Sequence, residues 1–264
     1  MTNGWWAGLL RLTLVAALLP PLVIGCGGTE AAEEPRPGPV TRTPELVMFV
    51  FDRSTSIPDH TLSLARDLME RRIGQLEHGD RIAAMQLLQL SLAEPPQRWS
   101  QQIPHREVEE AEIARDSTMR ARFLKDARAY LAAFSDTTGR DEINGTDILS
   151  TMHDVAAEIR PYSAHRRIMY LFSDMLQSNR TIEMEGLRAM PPSEWAENEA
   201  AEGKLPDLSG LCVFVVGARV DTDASQRVKQ FWEEYFAITG AELLDQNYTL
   251  RPVELPARPC GRAP

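Results

Sequence analysis

The chain has 264 residues, 43% of them hydrophobic, and a formal net charge of −10 at pH 7. That length and apolar content support a substantial core in one large domain or two small ones. The acidic balance argues against a protein that wraps nucleic acid, which needs a basic surface, so no nucleic-acid partner is expected.

Residues 1–25 read as a processing segment and are set aside from the fold. Leu9 to Ile24 is apolar except for Arg11, Thr13 and the pair Pro20-Pro21. It is short for a membrane span, and a proline pair suits the apolar region of a signal peptide better than a stable membrane helix. The segment ends Val23-Ile24-Gly25-Cys26, which resembles a bacterial lipobox with Val in place of the usual Leu. The resemblance implies lipidation at Cys26 and a lipid anchor in the bacterial cell envelope. Gly27 after the cysteine implies the outer membrane, with the protein facing the periplasm; a secreted or periplasmic product of an ordinary signal peptide is the alternative. Several acyl chains would exceed the two signals that stable anchoring needs. Residues 26–44 hold Glu30, Glu33, Glu34 and four prolines with no apolar cluster, the composition of an extended tether.

A domain is expected over 45–252, followed by a tail at 253–264. Leu46 to Phe51 is six apolar residues without alternation, the pattern of a central parallel strand buried on both faces. It stops at Asp52-x-Ser54-x-Ser56, followed by Pro58 and a helix over His60–Leu76 with apolar residues at helical spacing. Taken alone, the motif has a plain reading, in which Ser56 caps that helix. Gly79-Asp80 turns into a second strand from Arg81, and a short edge strand is expected near Gln97–Gln102 after Pro95-Pro96. Glu107 to Phe134 reads as one long or two short helices, with Ile113, Met119, Phe123, Leu124, Ala127, Tyr130 and Leu131 partly periodic. A polar loop then delivers Gly145-Thr146-Asp147, where Asp147 suits the cap of a helix running to about Arg160. Ile168 to Phe172 is a strand ending in Ser173-Asp174, and a helix is expected over Ser193–Glu202. Leu211 to Gly217 is a third buried strand. Asp223 to Thr239 follows as a helix striped by Val228, Phe231, Trp232, Tyr235 and Ile238, and Glu242–Leu250 suits a last edge strand. Strands alternating with helices predict an α/β fold, a doubly wound, mostly parallel Rossmann-like sheet with helices on both faces.

Three separated stretches share one chemistry. Asp52, Ser54 and Ser56 follow one buried strand, Thr146 opens a helix, and Asp174 follows another buried strand. In an open α/β sheet such strand ends flank the ligand crevice. Carboxylate and hydroxyl oxygens are hard donors that suit Mg²⁺, Mn²⁺ or Ca²⁺ rather than zinc. On these residues the chain resembles the von Willebrand factor A (vWA) family, whose metal-ion-dependent adhesion site places D-x-S-x-S on one loop, a Thr on a second and an Asp on a third. The resemblance implies strand order 3-2-1-4-5-6 and a metal site formed by Asp52, Ser54, Ser56, Thr146 and Asp174. It further implies an open metal position for the carboxylate of a protein partner. Met175 departs from the pattern, because the family often has Gly after this Asp.

No catalytic residue is expected. The second Asp that a haloacid-dehalogenase-type phosphatase needs is replaced by Ser54, and no H-E-x-x-H, G-x-S-x-G or Walker A pattern occurs. A metal-dependent phosphoester hydrolase and a structural vWA-like domain with an empty site are the alternatives to a binding module. Cys212 and Cys260 leave two readings open, a disulfide tying the tail to the sheet or a small buried thiol within a strand.

Overall fold

The computed structural model describes residues 42–87, 98–103, 113–134, 145–179, 182–184, 190–192, 194–251 and 260. The expected signal segment, Cys26 and most of the tether and tail lie outside them. Strand β1 (Glu45–Phe51) is buried along its whole length because it is flanked on both edges and covered on both faces. It pairs in parallel with β2 (Arg81–Gln86) and β4 (Arg166–Phe172). The short β3 (Arg98–Gln102) closes one edge antiparallel to β2. On the other side β5 (Leu211–Val216) and β6 (Glu242–Thr249) continue in parallel. The sheet order is β3-β2-β1-β4-β5-β6, the expected mostly parallel arrangement.

Strand side chains alternate faces, so the sheet divides the core in two. Val47, Phe49 and Phe51 pack with Leu68 and Ile73 of α1 (Asp59–Gly74) and with Phe123, Ala127 and Leu131 of α2 (Ile113–Phe134). On the opposite face, Leu46, Met48 and Val50 join a cluster built from α3 (Ile148–Ile159) and α5 (Asp223–Ile238). Trp195 of the short α4 (Trp195–Ala201) packs at its rim. Each fully buried Leu, Val or Phe contributes about 1.5–3 kcal/mol, so the helices are held by these faces rather than by propensity.

Helix α2 is a single helix where one or two were allowed, and residues 107–112 of the expected span lie outside the described residues. Two positions of its expected stripe face out instead: Met119 is exposed, and Tyr130 stacks on Trp99 of the edge strand with ring centroids 5.3 Å apart. In α5, Ile238 is exposed and Phe236 is buried in its place. Counting on from Trp232, the four-residue step lands on Phe236 and keeps the face toward the sheet, whereas Ile238 has rotated past it as the helix ends before Gly240.

Charged residues gather at the amino-terminal pole of the strands. Buried Asp80 accepts from the backbone N–H groups of Glu45 and Glu77, each at 2.8 Å, which ties the start of β1 to the turn before β2. Glu45 itself, nearly enclosed, pairs with Arg72 and with Arg42 and Arg166 at 3.3 and 3.4 Å. Cys212 of β5 and Cys260 form a disulfide, which resolves the two readings of these cysteines in favour of the tie between tail and sheet.

Candidate functional site

β1 and β4 are neighbours in register, with Phe51 opposite Phe172, so Asp52 and Ser173 leave the sheet side by side. This is where strand order reverses, between the first and fourth strands, and where an open α/β sheet forms its binding crevice. The Asp52 N–H completes the ladder by donating to the Phe172 carbonyl at 2.9 Å. The carboxylate is thereby fixed at the strand end, almost wholly buried.

Among the described residues, every group hydrogen-bonded to that carboxylate is neutral. Oδ1 accepts from the Ser54 N–H at 2.8 Å and from the Thr146 hydroxyl at 3.3 Å, and Oδ2 accepts from the Ser173 hydroxyl at 2.8 Å. Ser54 and Ser56 hydroxyls are in turn 2.8 Å apart. Burial pushes the Asp52 carboxyl above the usual carboxylate range, and the hydrogen bonds from Ser54, Ser173 and Thr146 offset only part of that. A buried carboxylate without a cationic partner is costly, which is the condition a bound cation relieves.

Of the five expected residues, the hydrogen bonds gather Asp52, Ser54, Ser56 and Thr146 into one group. Asp174 follows Ser173 on the same loop and is half-buried; its Oδ1 accepts from the Leu176 N–H at 3.0 Å. Ser56 does not cap α1, because that helix has Pro58 at its N-cap and no side-chain cap there. The motif is thus not the cap of α1, although the Asp52–Ser54 bond is a local turn contact as well as part of this group. Thr146 reaches the site from the turn at Gly145, whose φ of 79° lies in the region that glycine adopts without a Cβ clash.

The loop after β4 is held from two sides. Met175 has φ 66°, the glycine-like conformation, with a fully buried side chain. Its carbonyl accepts from the Trp232 indole N–H of α5 at 2.8 Å, and its own N–H donates to the Ser173 hydroxyl at 3.0 Å. Met175, where the resemblance led to an expectation of Gly, thus adopts the left-handed backbone that Gly takes most readily. Farther along, the buried Gln177 accepts through Oε1 from the Ile148 and Leu149 N–H groups at the start of α3, at 2.7 and 3.1 Å. Its Nε2 donates to Asp147 Oδ1 at 2.9 Å. Asp147 is the N-cap of α3, as its position suggested, accepting from the Ser150 N–H at 3.2 Å. The loops carrying Thr146 and Asp174 are thus bolted together.

No protein-family model and no curated protein sequence matches the chain. Among solved structures it is similar to proximal thread matrix protein 1 from the mussel byssus, at 15% identity over 75% of this chain and 46% of that one, with a TM-score of 0.33. It is also similar to the manganese-loaded Plasmodium vivax TRAP protein, at 11% identity over 78% of this chain and 68% of that one, again with a TM-score of 0.33. The chain thus spans less than half the length of the first.

Among the described residues no three His, Cys, Asp or Glu side chains cluster so as to hold a metal by themselves. A site here therefore depends on hydroxyl oxygens beside its carboxylates. Ser54, Ser56, Thr146 and Asp52, which has no cationic partner among the described residues, are a donor set that fits a hard divalent cation. Two contributors escaped the motif reading. Ser173 was signalled only by register, since pairing the ends of the two apolar runs puts it opposite Asp52. Gln177 had no sequence signal, because its role depends on where α3 begins in space.

Proposed function

We propose that this is a vWA-like domain that binds a protein partner through a divalent cation, Mg²⁺ or Mn²⁺ foremost and Ca²⁺ as the alternative, and that it is not an enzyme. The observation supporting this reading is the buried Asp52 carboxylate, ringed by neutral donors at the point where strand order reverses. Ser54, Ser56 and Thr146 would hold the ion through their hydroxyls, with Asp52 and Asp174 acting through water or from behind. When bound, the ion supplies an electron-poor centre with a position open to a carboxylate of the partner. The chain's own part is orientation. Ser173 and the Ser54 N–H hold the Asp52 carboxylate in one plane, and Gln177 and Asp147 keep the Thr146 loop against the Asp174 loop. Few carboxylates on the ion would leave its charge available to the partner.

Lipidation at Cys26 and a tether over residues 26–44 would hold the domain at a bacterial envelope surface while letting it reach neighbours. Partner capture by the immobilised protein in Mg²⁺, repeated in EDTA, tests the function. Capture is expected in Mg²⁺, lost in EDTA, and lost in Ser54→Ala/Ser56→Ala although that variant stays folded. A partner retained equally in EDTA would overturn the metal-bridged reading.

A further inference from the structure

The bond between Cys212 and Cys260 joins a residue of the sheet to a residue outside every described helix and strand. The chain leaves β6 at Thr249, at the crevice end of the sheet. At Cys260 it is back beside Glu242, the first residue of that strand, with Sγ 4.0 Å from the Glu242 carbonyl oxygen. Glu242 pairs with Cys212 of β5, so the disulfide lies at the pole opposite Asp52.

β5 has other fastenings. It pairs with β4 along one edge and with β6 along the other, and Asn247 Nδ2 donates to the Val213 carbonyl at 3.3 Å. Val213 and Val215 pack on one face of the sheet, Phe214 and Val216 on the other. Breaking the S–S bond removes none of these contacts. It frees Cys260 and leaves the ladders in place.

The bond also borders solvent. Cys260 is half-buried, and both cysteines line a cavity of about 450 Å³ among the starts of β4, β5 and β6. That volume falls within the roughly 300–1,000 Å³ usual for small-molecule sites. Cys212 is nearly enclosed, so the sulfur presented to an incoming group is that of Cys260. Exposed disulfides are the labile, regulatory class, whereas structural ones resist reduction.

From this placement we propose that Cys212–Cys260 is a redox latch, opened in the folded protein by a small-molecule thiol that enters the cavity. The reductant's thiolate attacks Cys260 Sγ, the S–S bond breaks, and Cys212 leaves as a thiolate that takes up a proton. A second thiol then attacks the reductant-derived sulfur of the mixed disulfide. The oxidised reductant departs as its own disulfide and Cys260 becomes a thiol, so two electrons and two protons pass to the cysteine pair. The latch shares no residue with the Asp52 group and stands apart from the cation reading.

The test treats the native full chain with 2-mercaptoethanol, quenches with iodoacetamide, and reads alkylation at Cys212 and Cys260 by peptide mass. Both cysteines should become alkylated without denaturant, at a rate that doubles with each doubling of thiol. Urea below the unfolding transition should leave that rate unchanged. The reduced protein and Cys260→Ser should both keep the far-UV circular dichroism of the oxidised protein and melt cooperatively at a lower Tm. Reoxidation should restore the original Tm in the wild type alone. A bond reached only through global unfolding gives a rate that levels off with thiol and rises with urea, and that result would overturn the proposal. So would loss of the dichroism signal on reduction, or opening by a protein dithiol but not by 2-mercaptoethanol.

Discussion

Met175 sets two opposing energies against each other, and their difference is measurable. Its φ of 66° puts a residue with a Cβ in the left-handed region, at a cost of about 1–2 kcal/mol. Its side chain is fully buried in the cluster on the α3/α5 face, and truncating a buried Met to Ala costs about 2–5 kcal/mol. Met175→Ala loses the packing and keeps the backbone cost. Met175→Gly loses the packing and relieves the backbone, so it should fall only about 1–4 kcal/mol below wild type. For a domain of this size each kcal/mol is worth about 2–4 °C in Tm, so Met175→Gly should melt roughly 3–15 °C lower. It should nonetheless be about 1 kcal/mol more stable than Met175→Ala, an order that ordinary core truncation reverses. Urea unfolding of the three proteins in chelator gives the ranking. A Met175→Ala protein as stable as Met175→Gly, or more so, would refute the left-handed backbone and the strained loop built on it.

Trp232→Phe keeps the ring in the core but leaves the Met175 carbonyl without its donor, and should cost about 1–3 kcal/mol by the same unfolding assay. Asp147→Ala removes the cap of α3 and the partner of Gln177, for a loss of about 1 kcal/mol measured by urea midpoint. Cys260→Ser opens a loop with a sequence separation of 48, and chain entropy puts the loss at about 4 kcal/mol, which reductant treatment of the wild type should match. Asp52→Asn removes a buried charge whose hydrogen-bonding groups are all neutral, so in EDTA it should be at least as stable as wild type, as read by thermal melting.

The central strand was legible because burial on both faces removes alternation, and Leu46 to Phe51 shows none. The same holds for β4 and β5, and the Asp and Ser residues that end such runs mark the crevice end of the sheet. Thr146 was legible only through family resemblance, since a Thr before a helix is otherwise unremarkable. What escaped depends on partners remote in sequence. Ser173 matters through its register opposite Asp52, Gln177 through the place where α3 starts, and Met175 through the indole of Trp232, 57 residues away. The stripe of α5 failed at Ile238 because periodicity counted on to a helix end where the face had already turned. The disulfide could not be chosen from composition, since a cysteine within a strand is equally at home as a small apolar residue.

The most direct test of a cation held by Asp52 and its hydroxyl neighbours is Mg²⁺ titration of chelator-stripped protein by calorimetry, beside Asp52→Ala. Wild type should bind one ion and, at a hundredfold excess over Kd, gain about 2.7 kcal/mol, or roughly 5–10 °C in Tm. The variant should show no such binding and no gain. Equal binding by the two proteins, or none by wild type with either Mg²⁺ or Mn²⁺, would contradict the account.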